Sequence, residues 1–261
     1  MKANTNGIEI NYEIYGDSGP WVMLSHSLAC DLHMWDAQID LLKDRFRVLA
    51  FDTRGHGKSD APSGAYTLEQ LVEDARGLMD AVGVEKPHWV GLSMGGMIGQ
   101  MFELAHPGTF RSMVLCDTSS RIPAELAPVW AARVDTVNEK GMAAVVDGTL
   151  ERWFTEPFRQ SRRDVTDAVA KMIVETKVEG YAGCCQAIPK LDCTDRLHTV
   201  DCPVQIIVGE QDAGTPVAMS EAIHSAIAGS ELVIIAQASH LSNLEQPEKF
   251  NAALDRFLSA N

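Results

Sequence analysis

Three residues far apart in the chain carry the types that acyl-transfer chemistry needs: Ser93, Asp212 and His240. Ser93 lies in Gly91-Leu92-Ser93-Met94-Gly95-Gly96, between two glycines that are each two residues away. The apolar run Pro87-His88-Trp89-Val90 precedes it and reads as a buried strand. Met97 to Ala105 follows it and reads as a helix. Gly-x-Ser-x-Gly at a strand-to-helix corner is the pattern of a nucleophile elbow. The turn is so sharp that side chains at Gly91 and Gly95 would collide with neighbouring backbone. Its strain points the Ser93 hydroxyl out of the sheet, and the helix N-terminus behind it favours developing negative charge.

A serine hydroxyl is a weak nucleophile at neutral pH and needs a base. Of the eight histidines, His33, His88, His106, His198 and His224 fit surface or helix-end positions. His240 stands apart, in Gln237-Ala238-Ser239-His240-Leu241 just after the strand expected at Leu232 to Ala236. That is the carboxyl end of the sheet, where open α/β sheets bind ligands. The competing role for His240 is a cap on the next helix. The acid should follow the preceding strand, and Val208-Gly209-Glu210-Gln211-Asp212 places Asp212 there. The chain order is then Ser, acid, His. Glu210 and Asp117 are the rival acids, the first too close to its strand end, the second after the strand Ser112 to Cys116. The acid would fix the His240 tautomer and stabilise the imidazolium. Two backbone N–H groups are expected to form the oxyanion hole: that of Met94, after the nucleophile, and that of Leu28, in His26-Ser27-Leu28.

The elements that must position these residues alternate. Asn6-Gly7 reads as a hairpin turn, and Ile8 to Tyr15 alternates apolar and polar residues as an edge strand would. Trp21 to Leu24 and Phe46 to Phe51 read as strands, and Asp52 to Asp60 as a Gly-rich loop. Thr67 caps a helix with apolar positions at Leu68, Leu71, Ala75, Leu78 and Met79. From Arg121 to Arg196 the alternation stops and the pattern is helical throughout. This predicts a cap, residues 121–196, inserted into a core built from 1–120 and 197–261. Alternation resumes with Val204 to Val208, a helix from Val217 to Ile227, the strand at Leu232 to Ala236 and a last helix from Pro247 to Leu258. Such alternation with right-handed crossovers gives an α/β fold with a mostly parallel sheet flanked by helices.

The chain has 261 residues, 46% of them hydrophobic, and a formal net charge of −14. That charge argues against nucleic acid or an anionic membrane surface as partner and favours solubility. The six cysteines, Cys30, Cys116, Cys184, Cys185, Cys193 and Cys202, read as reduced thiols packed as small hydrophobes. No apolar signal core opens the sequence, and no run approaches the ~20 apolar residues of a membrane span. A cytoplasmic protein without metal or cofactor is expected. Self-association into a homo-oligomer stays open.

The elbow, the Asp212 loop and the His240 loop resemble the α/β-hydrolase family over nearly the whole chain. The similarity narrows at residues 24–35 (LSHSLACDLHMW), 51–62 (FDTRGHGKSDAP), 179–188 (EGYAGCCQAI) and 238–247 (ASHLSNLEQP). Together these resemble the 3-oxoadipate enol-lactonases of aromatic catabolism, with carboxylesterases close by. One departure is His26-Ser27, where many relatives carry His-Gly and the enol-lactonases often carry Ser-Asn-Ser. The resemblance implies hydrolysis of an ester or lactone through an acyl-enzyme. A serine at position 93 disfavours haloalkane dehalogenase and epoxide hydrolase chemistry, which the family associates with aspartate. The resemblance also implies an enol-lactone bearing a carboxylate, and hence a cation near the pocket. Arg133 near Trp130 and Arg152 beside Trp153 are the candidates, each with solvated helix arginine as the alternative role. Phe102, Met172 and Trp153 could line the pocket, with core as the preferred reading. The other functions in play are a general short-chain carboxylesterase, a C–C hydrolase of ring-cleavage products and a non-catalytic small-ligand receptor.

Overall fold

The computed structural model describes residues 1–261. Its eight strands are β1 (Lys2–Thr5), β2 (Ile8–Tyr15), β3 (Trp21–Ser25), β4 (Arg47–Phe51), β5 (His88–Leu92), β6 (Ser112–Cys116), β7 (Val204–Gly209) and β8 (Glu231–Ile235). They form one sheet in the order β1-β2-β4-β3-β5-β6-β7-β8. β1 and β2 pair antiparallel, as do β2 and β4, and every other pair is parallel. The turn between β1 and β2 works because Asn6 and Gly7 both take positive φ, 50° and 80°, as a tight hairpin requires. That hairpin corrects one expectation. β2 is an edge strand only in part, because β1 pairs with it over Ile8–Asn11 while Tyr12–Tyr15 pair with β4. The central strands β3, β5, β6 and β7 are buried along their whole length, as a parallel sheet covered on both faces demands.

The helices are α1 (Asp36–Leu42), α2 (Leu68–Val82), α3 (Met94–Ala105), α4 (Ala127–Lys140), α5 (Val146–Trp153), α6 (Glu156–Ser161), α7 (Arg163–Glu175), α8 (Val178–Ala187), α9 (Val217–Ala226), α10 (Ser242–Glu245) and α11 (Pro247–Ala260). A reciprocal capping box starts α2. The Gln70 N–H donates to the Thr67 hydroxyl and the Thr67 N–H to the Gln70 side chain, so two helix-end donors are satisfied at once. α3 begins at Met94, three residues earlier than its apolar run suggests. No helix is long and apolar enough to cross a membrane.

Five helices, α4 to α8, lie between β6 and β7. Arg121 and Asp192 close the base of this segment with a backbone bridge and a 2.5 Å side-chain bond. α8 presses against the loop after β4. A Cβ on Gly180 would sit 2.0 Å from the Gly55 carbonyl oxygen, and one on Gly55 would sit 2.3 Å from Gly180 Cα. Only a glycine pair permits that approach. The Lys177 ammonium adds a 2.7 Å bond to the Ser59 carbonyl.

Three further residues lie where the sequence did not put them or left them open. His88 is buried in β5, not at the surface, and its Nδ1 is 2.7 Å from the Ser112 hydroxyl on β6. Burial lowers its pKa to about 4. Phe102 is core, packed edge-on against Trp89 and Phe110. Met172 is half-buried against the core and does not line the cavity beside Ser93.

Candidate active site

Ser93 sits between β5 and α3 with φ 54° and ψ −113°, a left-handed conformation that a side-chain-bearing residue adopts only under constraint. The constraint is visible. A Cβ on Gly91 would meet the Gly95 carbonyl oxygen at 2.3 Å, and one on Gly95 the Ser25 carbonyl oxygen at 2.1 Å. The Ser93 N–H donates to the Cys116 carbonyl at 2.8 Å, and its carbonyl accepts from the Thr118 hydroxyl at 2.7 Å. The corner is thus bonded to the end of β6 on both sides of the peptide chain.

His240 lies in the loop after β8, and its Nδ1 is 2.8 Å from Asp212 Oδ2. A carboxylate only accepts, so the Nδ1 proton points at Asp212 and Nε2 is left as the basic nitrogen. Asp212 is almost fully partnered. Oδ1 accepts from the N–H groups of Gly214 (2.7 Å) and Thr215 (2.9 Å), and Oδ2 also accepts from the Thr215 hydroxyl (2.7 Å). Burial alone would raise the Asp212 pKa, but the charge and bond of His240 and the Thr215 bonds outweigh it and hold the carboxyl below its usual range. Ser93, His240 and Leu28 line one cavity of about 80 Å³, space for several waters or a small organic group.

The rival acids point elsewhere. Asp117 Oδ1 accepts from the Gly209 N–H (2.7 Å) and Oδ2 from the Ser242 hydroxyl (2.5 Å), which ties β6 to β7 and α10. Burial, and then the charge of Asp212, push its pKa well above the ordinary carboxyl value. Two neighbouring buried carboxyls cannot both ionise cheaply, and of the two it is Asp212, partnered by His240, whose charge the surroundings favour. Glu210 accepts from the Gln237 N–H at 3.2 Å, out in solvent.

The two oxyanion-hole candidates are built differently. The Met94 N–H is in the first turn of α3, where no helical acceptor exists. The Leu28 N–H makes no bond within the protein. Its orientation comes from the far end of the same peptide. The Ser27 carbonyl accepts from His26 Nδ1–H (2.7 Å) and from the Cys30 N–H (3.2 Å). In a planar trans peptide, fixing the C=O fixes the N–H in the opposite direction. The tautomer follows from the other nitrogen, since His26 Nε2 accepts from the Thr53 N–H at 2.9 Å. Burial keeps His26 neutral by lowering its pKa. His56 packs 5.3 Å from it, and burial, with the neighbouring His26, drives its pKa to about 3.

The helical segment supplies the opposite wall: Trp130, Arg133, Thr149, Arg152, Trp153 and Tyr181. The Arg133 guanidinium stacks 4.3 Å from the Trp130 ring. Arg152 donates to the Thr149 hydroxyl at 3.1 Å. Burial, and then Arg133, lower the Arg152 pKa. Neither arginine forms an ion pair, and no carboxylate lines the cavity. The Trp153 ring lies 6.0 Å from the His240 ring at 30°.

Sequence reasoning therefore brings Ser93, Asp212, His240, Leu28, Trp130, Arg133, Arg152 and Trp153 to one place. It misses Thr215, His26, Ser27 and Tyr181. The hydroxyl of Ser27 is buried at the cavity without a partner. Only the position of His26 after β3 hints at its part, since it acts by holding a peptide.

A family model described as the alpha/beta hydrolase fold matches residues 20–247. 3-Oxoadipate enol-lactonase 2 of Acinetobacter baylyi is 34% identical over 249 residues, 95% of this chain and 92% of that protein. The structure of an enol-lactonase from Burkholderia xenovorans superposes with a TM-score of 0.96 at 37% identity, covering 99% of this chain and 100% of that one. A thermophilic esterase from Thermogutta terrifontis, solved with malate bound, has a TM-score of 0.94 at 31% identity, covering 100% and 98%. The strand order, the strained corner and these likenesses over the full length agree, and the chain belongs to the α/β-hydrolase family.

Proposed function

We propose that this protein is a serine carboxylic-ester hydrolase whose substrate carries a carboxylate, and that its sharpest substrate is 3-oxoadipate enol-lactone. Ser93 Oγ attacks the acyl carbon while His240 Nε2 takes its proton, and Asp212 stabilises the imidazolium. The oxygen that gains charge rests on the N–H groups of Leu28 and Met94. His240 then returns the proton to the leaving oxygen. Water, deprotonated by His240, splits the acyl-enzyme and regenerates Ser93. For a lactone, alcohol and acid remain in one product molecule. Residues 121–196 act as a cap that excludes bulk water and supplies the recognition wall.

One observation carries the substrate reading: two guanidiniums, Arg133 and Arg152, face the cavity that holds Ser93 and His240, with no acid to neutralise them. In a chain of net charge −14, unpaired arginines in a cleft call for an anionic ligand. The enol-lactonase relatives and the malate-bound esterase accord with this. Arg133 lies over the Trp130 ring and makes no hydrogen bond or ion pair within the protein, so its N–H groups are free for a carboxylate.

The test compares the enol-lactone with its methyl ester, which removes the charge and keeps the ring. Hydrolysis of both should vanish in Ser93→Ala, with kcat down about 10⁶-fold. The methyl ester should react with kcat/KM about 10–100-fold below the free acid, the size of one lost charge-assisted hydrogen bond. Equal rates on both would favour a short-chain carboxylesterase for neutral esters.

A further inference from the structure

The residues on either side of His240 are bonded to the wall that carries Arg152 and Trp153. The Leu241 N–H donates to the Trp153 carbonyl at 3.2 Å. The Ser239 hydroxyl reaches the Arg152 carbonyl at 3.0 Å and the Gln211 carbonyl at 3.2 Å. Gln211 in turn precedes Asp212, and its N–H donates to the Ala238 carbonyl at 2.8 Å. One side chain closes this arrangement. Glu245, 5% exposed at the end of α10, accepts from the Ser239 N–H through Oε2 at 2.8 Å. Through Oε1 it accepts from the Thr155 N–H at 3.1 Å and from the Thr155 hydroxyl. Thr155 sits in the short link between α5 and α6, just beyond Arg152 and Trp153.

We infer that Glu245 is a positioning residue: it sets the distance between the arginine that would hold the substrate carboxylate and the histidine that would move the proton. The inference rests on the carboxylate reading above. Its physical basis is the donor count. Three donors from two separate chain segments converge on one buried carboxylate, which can only accept. They fix the α5–α6 link against the His240 loop in two directions. His240 keeps its own orientation from Asp212 and Thr215, so loss of Glu245 loosens the wall and leaves the base aligned. A substrate anchored at Arg152 then meets Ser93 out of register, and small misplacements of this kind reduce turnover strongly. A substrate without a carboxylate does not use the anchor and loses little.

Glu245→Gln is the fitting change. The amide keeps shape and volume but offers one oxygen, so its NH₂ must face either Ser239 N–H or the Thr155 donors. On the enol-lactone, kcat should fall about tenfold. On its methyl ester, kcat should stay within about threefold. Thr155→Val, which removes only the hydroxyl donor, should move the same ratio in the same direction by less, and serves if Glu245→Gln folds poorly. In the Arg152→Gln background, Glu245→Gln should add no further loss on the lactone, because the two act through one anchor. Equal losses on both substrates, or additive losses with Arg152→Gln, overturn the inference. A wild-type protein without preference for the charged lactone overturns the carboxylate reading and this inference together. A wild-type preference that survives undiminished in Glu245→Gln overturns this inference alone.

Discussion

The two walls of the cavity are built on opposite plans. At the carboxyl ends of β3, β5, β7 and β8 the groups that would do chemistry are already held in place by the protein. Asp212 accepts from His240, Gly214 and Thr215, and the peptide carrying the Leu28 N–H is held through its carbonyl. On the helical side, Arg133 and Arg152 lie in the cavity with an aromatic face and a threonine hydroxyl for company and no acid. The first wall needs no ligand to be in order. The second lacks a counter-charge that an anion would supply. On the proposed reading the contrast is a division of labour: preorganised dipoles at the strand ends for a developing oxyanion, and unpaired charge in the insertion for choosing who enters.

After the loss of Ser93 itself, the largest expected effect breaks the first wall. Asp212→Asn turns an acceptor-only carboxylate into an amide that can present N–H to His240 Nδ1, which favours the wrong tautomer. Turnover at neutral pH should drop about 10⁴-fold. Asp117→Asn is the paired control. Its remaining oxygen can still accept from the Gly209 N–H, and the new amide can donate to the Ser242 hydroxyl oxygen. Asp117 bonds neither His240 nor Ser93 and does not line the cavity, so an amide of the same shape there should change kcat by no more than about threefold. Steady-state rates of both variants on one ester decide the matter. Comparable losses would mean that the charge is shared differently between the two aspartates.

A smaller effect tests the second wall. Arg152→Gln keeps a donor to the Thr149 hydroxyl but removes the charge. On the carboxylate-bearing lactone, kcat/KM should fall about 10–100-fold, and on the methyl ester by only a few-fold. A parallel fall on both substrates would make Arg152 a packing residue of α5 and return the wall to a merely apolar role.

How much of each wall was legible in the sequence follows the same divide. Gly91, Ser93 and Gly95 are readable because backbone sterics tolerate few alternatives at that corner. Asp212 and His240 are readable because chain order and strand ends assign them, and the helical insertion because alternation stops. His88 misled: it stands beside a Pro at the start of a strand, and only the neighbours on both sides of the finished sheet bury it. The cover on the first half of β2 went unread because the four-residue strand that supplies it is too short to announce itself. The pairing state of Arg133 and Arg152 was beyond reach, since the presence or absence of an acid nearby is decided by residues distant in sequence. His26 was beyond reach for a related reason: what it holds is a peptide group, which leaves no pattern of side chains.

The smallest effect concerns pH, and it separates the walls once more. His56 titrates near 3 and His88 near 4 in the folded chain, against about 6.5 when unfolded. Between those values the unfolded chain binds the extra proton and the folded chain does not. Stability from these two groups is therefore complete above pH 6.5 and is lost as pH falls toward 4 and 3, by up to ~1.4 kcal/mol per pH unit per histidine. The depressed Asp212 acts in the same direction, but only below the ordinary carboxyl range near pH 4. His56→Asn places an amide N–H where Nδ1 bonds the Arg54 carbonyl at 3.1 Å and cannot be protonated. Denaturant unfolding at pH 7, 6 and 5 should show the wild-type stability falling more steeply than that of the variant, so that the gap between them closes as pH drops. Parallel curves would mean that His56 is protonated in the fold. The floor beneath the Leu28 peptide would then be charged, and the strand-end wall would owe its order to a different arrangement of protons.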